Sequence, residues 1–215
     1  MRRAVFLGRD GVINRWAHSS DLAPGDSPAN PDEFELLPGA GEAIAALNAL
    51  RLPVVVVSNQ PGIARGRLTT AVLDAINEKM RAELAKAGAR TGGVLYCRHH
   101  PAGQIKAYRM ECECRKPKPG MLFRAARERN LNLPQSFLVG NGAEDILAGH
   151  AAGVMTFLIS SGVSSAYRGL SRWQAQPDCI VADLGEAVRA IDQLLGSPSR
   201  QLEKGSDRDA PQRAS

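Results

Sequence analysis

The chain has 215 residues, 44% hydrophobic and 23% charged, enough for one well-filled core, so a single domain is expected. A formal charge of +5 and a pI of about 9.3 would suit a nucleic-acid partner, but aromatic residues make up only 5% and no long Lys/Arg block interleaves with them. A small anion accounts for the surplus as well as nucleic acid does, and no nucleic-acid partner is expected. The apolar run after Arg3 is short and nowhere do about 18 apolar residues run together, which excludes a membrane span and leaves a cytoplasmic monomer as the expectation.

In chain order, short apolar runs alternate with longer helical patterns. AVFL (4–7) is followed by PGAGEAIAALNAL (38–50), PVVVVS (53–58), a helical pattern over 69–88, GVLYC (93–97) and PGMLFRAARERN (119–130). SFLVG (136–140), AEDILAGHAAG (143–153), VMTFLIS (154–160), DCIVA (178–182) and LGEAVRAIDQLLG (184–196) continue the series. Continuous runs such as Val54 to Val57 suit strands covered on both faces, and alternation with helices suits parallel crossovers. The expected fold is therefore α/β: a Rossmann-like, doubly wound, mainly parallel sheet over residues 1–195, followed by a disordered polar tail over 196–215. A ligand belongs at the C-terminal ends of the strands, beside two long loops at 15–38 and 97–118.

Cys97 and His99 form one pair of potential metal ligands, and Cys112 and Cys114 a second. Three thiolates and an imidazole make a closed tetrahedral set for a structural Zn²⁺ in the loop 97–114, against the bland reading of unrelated buried cysteines beside a surface histidine. Adjacent residues seldom both reach one ion, so His100 is assigned to the surface or to a ligand. Cys179, inside a strand, reads as a small core residue.

Ser58-Asn59-Gln60 follows the VVVV run, and Arg115-Lys116-Pro117-Lys118-Pro119-Gly120 opens a helix after the metal loop. A strand-end hydroxyl and amide, a lysine stiffened by prolines and a helix N-terminus can coordinate one phosphate together, although each alone also reads as a cap or a solvated turn. In this order, with FLGRDGVIN, VVVVSNQPGIARG, CRHHP, CECRKPKPGM and LVGNGAEDI, the chain resembles the haloacid dehalogenase (HAD) superfamily. Within it, the resemblance is to the D-glycero-D-manno-heptose 1,7-bisphosphate phosphatase and histidinol-phosphate phosphatase group.

That resemblance implies a capless HAD fold whose first strand ends in D-x-D. The first aspartate attacks phosphorus and the second serves as general acid/base, beside a Mg²⁺ held by the nucleophile, a backbone carbonyl and an aspartate of a G-D-x-x-x-D segment. It assigns Asp10 as general acid/base, Ser58 and Lys116 as phosphoryl stabilisers, Asn59 and Gln60 as substrate contacts, and Arg115 as a sugar-phosphate recognition group. Cys97, His99, Cys112 and Cys114 match the zinc ligands, and Asp10, Asn141 and Asp145 the magnesium positions.

Three departures fall on the chemistry. Gly8 stands at the nucleophile position, where without a family in view it reads as a turn glycine. Asn141 replaces a metal-binding aspartate, and Gly142 replaces a lysine. Glycine cannot form an aspartyl phosphate, and loss of a covalent nucleophile costs roughly 10⁴ to 10⁶ in rate. Two lost carboxylates weaken Mg²⁺, and Arg9, Arg115, Lys116 and Lys118 are expected to meet fewer counter-charges and to be able to hold phosphate without metal. The expectation is a heptose-bisphosphate-phosphatase-like protein that binds a phosphorylated sugar but is inactive or severely impaired. The alternative is a working Mg²⁺-dependent phosphomonoesterase of heptose 1,7-bisphosphate or a related metabolite, with a replacement nucleophile or with water attacking and Asp10 as base. In the loop 15–38, Trp16 and His18 are candidates to stack on or hydrogen-bond a ligand, or Trp16 to cover the core edge.

Overall fold

The computed structural model describes residues 1–17, 27–160 and 173–196. Six strands, β1 (Val5–Leu7), β2 (Val54–Asn59), β3 (Gly93–Cys97), β4 (Phe137–Gly140), β5 (Met155–Ile159) and β6 (Cys179–Val181), form one sheet in the order β3-β2-β1-β4-β5-β6. Every pairing is parallel. The longer α-helices among the described residues are α1 (Ala40–Ala49), α2 (Thr70–Lys86), α3 (Gly120–Arg129), α4 (Ala143–Ala152) and α5 (Leu184–Gly196). The expected α/β sheet is thus realised. Its polar tail beyond residue 196 lies outside the described residues, as does His18.

The continuous apolar runs are buried on both sides because successive side chains point to opposite faces. Val5, Leu7, Val54, Val56 and Val139 share one core with Leu47 of α1, Leu73, Ile76, Met80 and Leu84 of α2, and Ile191 of α5. Phe6, Val55, Val57 and Leu138 point the other way, against Met121, Leu122 and Ala125 of α3 and Ala148 of α4. The spacing 73, 76, 80, 84 lays the α2 contacts along one stripe of the helix, and Thr69 caps its start by accepting from the Val72 amide at 3.2 Å.

Strand order reverses between β1 and β4, since the chain runs outward from β1 to β3 on one side and from β4 to β6 on the other. Such a switch point leaves a crevice beyond the strand C-termini, and residues 8–14, 58–60 and 140–145 meet there. On the core beneath, Phe137 and Phe157 meet edge to face with ring centroids 6.1 Å apart and are almost completely buried. Phe157→Ala is expected to lower stability by about 3–5 kcal/mol in urea denaturation, through lost burial and the cavity left behind.

Candidate functional site

The site starts where β1 ends. The Gly8 amide donates to the Val139 carbonyl at 2.9 Å, continuing the sheet by one bond. A β-carbon at this position would lie 3.0 Å from Cγ2 of Val12, so a side chain fits only if Val12 shifts slightly. Beyond it the chain turns tightly, with the amides of Ile13 and Asn14 donating to the Arg9 carbonyl at 2.8 and 3.2 Å.

Asp10 is buried and its carboxylate is surrounded by donors. Arg9 reaches Oδ1 through Nη2 at 2.9 Å, and Asn14 Nδ2 reaches the same oxygen at 3.0 Å. Ser27 Oγ and Gln60 Nε2 each donate to Oδ2 at 2.7 Å. Arg9 is 1% exposed, and its Nη1 donates to Oδ1 of Asn77 on α2 at 3.3 Å. Burial alone would raise the Asp10 carboxyl, but the Arg9 charge and the hydrogen bonds from Asn14, Ser27 and Gln60 outweigh it and hold the group below its ordinary value of 3.8. Asp10 is therefore a carboxylate with no proton to give, and both of its oxygens are already engaged.

The second half of the site comes from β2, β4 and the segment before α3. Ser58 Oγ accepts from Gln60 Nε2 at 2.8 Å. Lys116 is buried, and its Nζ donates to the Val57 carbonyl at 2.8 Å and to Oδ1 of Asp145 at 2.5 Å. Asn59 holds the Lys116 backbone from both sides, donating to its carbonyl at 3.0 Å and accepting from its amide at 3.1 Å. Oδ2 of Asp145 accepts the amides of Asn141 and Gly142, each at 3.2 Å, at the start of α4. Asn141 turns its side-chain nitrogen to the Asp10 carbonyl oxygen at 3.2 Å. Next to Lys116 a cavity of about 370 Å³ is lined by Arg115, Pro117, Lys118, Glu144 and Trp173.

Of the four cations expected to meet fewer counter-charges, three have a carboxylate partner. Arg9 pairs with Asp10, Lys116 with Asp145, and Lys118 with Glu113 at 2.8 Å. Arg115 donates to the His99 carbonyl at 3.4 Å. The reason is positional: the carboxylate partner of Lys116 lies 29 residues away along the chain, so the pairing depends on the sheet. Ser27, Asn14 and Asn77 are site residues that sequence reasoning missed. Asn14 sits in the quoted FLGRDGVIN stretch, which was the one available signal. Of the two ligand candidates in the loop 15–38, Trp16 is half-buried, with its Nε1 close to Gly11.

Cys97, His99, Cys112 and Cys114 converge so that their ligand atoms all lie within 4.8 Å of one another. Cys97 Sγ is 3.5 Å from Cys112 Sγ, and Cys114 Sγ is 3.3 Å from Cys112 Sγ and 3.4 Å from His99 Nδ1. These separations are close to the roughly 3.8 Å edge of a tetrahedron with metal–sulfur bonds of about 2.3 Å, so the cluster could hold a metal ion. The hydrogen bond from Cys97 pushes the Cys114 thiol down to about 5, while Cys97 itself moves up. His100 stays out of the cluster, its Nδ1 accepting the Ala102 amide at 3.1 Å. Cys179 lies in β6, packed against the core. The loop is tied to β2 through the Gln60 amide, which donates to the Cys97 carbonyl at 2.7 Å.

Fold and site together define a HAD-type phosphatase scaffold, and the family model described as "HAD-hyrolase-like" matches residues 113–187. The chain belongs to the D-glycero-beta-D-manno-heptose-1,7-bisphosphate 7-phosphatase family of this superfamily. It is 35% identical over 192 residues to the protein of that name from Salmonella typhi, spanning 86% of this chain and 95% of the relative. Against the Pasteurella multocida protein of the same name it is 38% identical over 166 residues, 75% of this chain and 84% of the relative. Among solved structures, the D,D-heptose 1,7-bisphosphate phosphatase of B. bronchiseptica, complexed with magnesium and phosphate, matches with a TM-score of 0.75 and 32% identity over 89% of this chain and 99% of that one.

Magnesium can be tested against the residues present here. Gly8 offers no side-chain oxygen, Asn141 presents an N–H rather than an oxygen to the Asp10 carbonyl, and the Asp10 and Asp145 carboxylates are each occupied by an internal cation. The donor set does not fit a hard divalent cation that requires free oxygen ligands.

Two outcomes follow. Asp10→Asn should cost about 3–5 kcal/mol, because it leaves Arg9 charged and buried without its partner. Since the folded carboxyl is depressed, Asp10 contributes fully above its unfolded value near 3.8 and loses that contribution as pH falls through the lowered folded value. Acid denaturation of the wild type should carry this component, and that of Asp10→Asn should lack it. For the Cys/His cluster, metal analysis should find about one thiophilic ion per chain, and Cys112→Ser should reduce that content and the melting temperature together.

Proposed function

We propose that this chain binds the phosphoryl group of a phosphorylated sugar at Ser58 and Lys116 without hydrolysing it. The observation that carries this reading is the absence of any side-chain oxygen at position 8, at the end of the strand around which the rest of the site is built. Family membership supplies the ligand class, since the named relatives are heptose-bisphosphate phosphatases. Lys116 spends two of its three N–H groups on Val57 and Asp145 and has one left for a phosphoryl oxygen. The Ser58 hydroxyl accepts from Gln60 and can turn its own hydrogen to the same ligand. Asn59 and Gln60 position these two groups, and Arg115, on the rim of the cavity, supplies a planar donor fork for the sugar or a further phosphate.

In this reading the Cys/His cluster holds a structural Zn²⁺, because three thiolates and an imidazole close the coordination shell and leave no site for a substrate. Its service to the ligand is mechanical, holding the segment that carries Arg115 and Lys116 over the strand ends. The protein acts as a soluble cytoplasmic monomer, with no nucleic-acid partner.

The names of the relatives favour a second reading, a working Mg²⁺-dependent phosphomonoesterase with water as nucleophile. Asp10 would have to serve as its base, yet both carboxylate oxygens already accept hydrogen bonds from Arg9, Asn14, Ser27 and Gln60. The two readings separate in one assay on purified protein with D-glycero-beta-D-manno-heptose 1,7-bisphosphate. Phosphate release should stay at background with Mg²⁺ present, a deficit of about 10⁴-fold or more against ordinary turnover. Calorimetry should show binding of equal strength in Mg²⁺ and in EDTA, weakened at least about tenfold by Lys116→Met. Robust Mg²⁺-dependent release overturns the proposal.

A further inference from the structure

We propose that the side-chain amide of Asn141 takes over the bridging role a divalent cation would play between the loop after β1 and the loop after β4, so that this chain assembles its site without metal. The bridge is a single bond, Nδ2 of Asn141 to the main-chain oxygen of Asp10 at 3.2 Å, joining residues 131 positions apart. Only the N–H end of a carboxamide can bond to a carbonyl oxygen, so chemistry dictates which way this amide faces. Its backbone is fixed from the other side, where the Asn141 amide donates to Asp145 at 3.2 Å. Gly11 makes room for it. A β-carbon there would lie 2.0 Å from Asn141 Nδ2, and the Gly11 φ of +74° is one that other residues rarely adopt.

Charge balance points the same way. Asp10 is neutralised by Arg9 and Asp145 by Lys116, with all four side chains at most 6% exposed. Gly8 and Asn141 are neutral, so this buried ensemble sums to zero with no ion added. A divalent cation would bring two positive charges next to buried Arg9 and Lys116, while the Asp10 and Asp145 carboxylates are already paired with those two side chains. Aspartate at 141 would reverse the situation: a carboxylate oxygen would face the Asp10 carbonyl oxygen, two acceptors with no proton between them, close to the Asp145 carboxylate. That arrangement repels unless a cation lies between, and aspartate at position 8 adds a second negative charge to the same crevice. Loss of two carboxylates and loss of the ion are therefore a single coordinated exchange, with Asn141 as the residue that closes the gap. This inference concerns how the site is held together and does not depend on sugar-phosphate binding.

Thermal unfolding without any substrate tests it, on wild type, Asn141→Ala and Gly8→Asp/Asn141→Asp, each in EDTA and in about 10 mM Mg²⁺. The wild type should melt at the same temperature in both media. Asn141→Ala should lose about 2–6 °C in both, with no recovery on adding Mg²⁺, as expected for one lost hydrogen bond. The double variant should be destabilised in EDTA and regain at least about 3 °C with Mg²⁺, and folding only when Mg²⁺ is added counts the same way. A wild type that Mg²⁺ stabilises saturably by several degrees overturns the proposal, and so does an Asn141→Ala variant that melts with the wild type. Because neither of those two proteins carries an added charge, the test stands even if the double variant does not fold.

Discussion

Arg9 and Asp10 are neighbours in the chain, yet both are buried, and removing two opposite charges from water costs several kcal/mol per ion unless geometry and further hydrogen bonds offset it. Much of the site can be understood as that compensation. Asn14 from the β1 turn, Ser27 from the returning loop and Gln60 from beyond β2 all donate to the carboxylate, and Asn77 of α2 accepts from the guanidinium. Four separate segments are thereby pinned to one ion pair at the end of the first strand. The result is a preformed crevice with an acceptor already saturated at its centre.

A similar logic governs the other side of the crevice. Lys116 reaches Asp145 across the strand ends, and Asn59 grips the Lys116 backbone. The Cys/His cluster is coupled to this arrangement through the loop that leads from Cys114 directly into Arg115 and Lys116. The same loop is fastened to the segment after β2, where the amides of Gln104 and Ile105 donate to the Ala64 carbonyl at 2.7 and 2.9 Å. A phosphatase scaffold is thus retained with its positioning devices in place, while the groups that would have carried extra negative charge are glycine and asparagine.

Chain order and periodicity suffice for the strands and helices, because a doubly covered parallel strand must be apolar on both faces and a covering helix must carry a stripe. The run Val54 to Val57 and the spacing of Leu73, Ile76, Met80 and Leu84 are direct signatures of those constraints. The Cys/His cluster was legible for a different reason: thiolate and imidazole are scarce, and two short pairs lie in one loop. Family likeness extended this to Asp10, Ser58, Lys116 and Arg115, and it made Gly8 and Asn141 conspicuous.

What the sequence by itself determined is therefore composition at each position: an α/β sheet, a set of soft ligands, and a glycine at the end of β1. Which group each site residue faces was decided only by tertiary structure. Nothing local tells Ser27 to donate to Asp10, Lys116 to pair with Asp145, or Asn141 to aim its nitrogen rather than its oxygen at the β1 turn. Those choices follow from hydrogen-bond satisfaction and charge neutrality in a buried space, and both are properties of residues brought together from 17 to 131 positions apart.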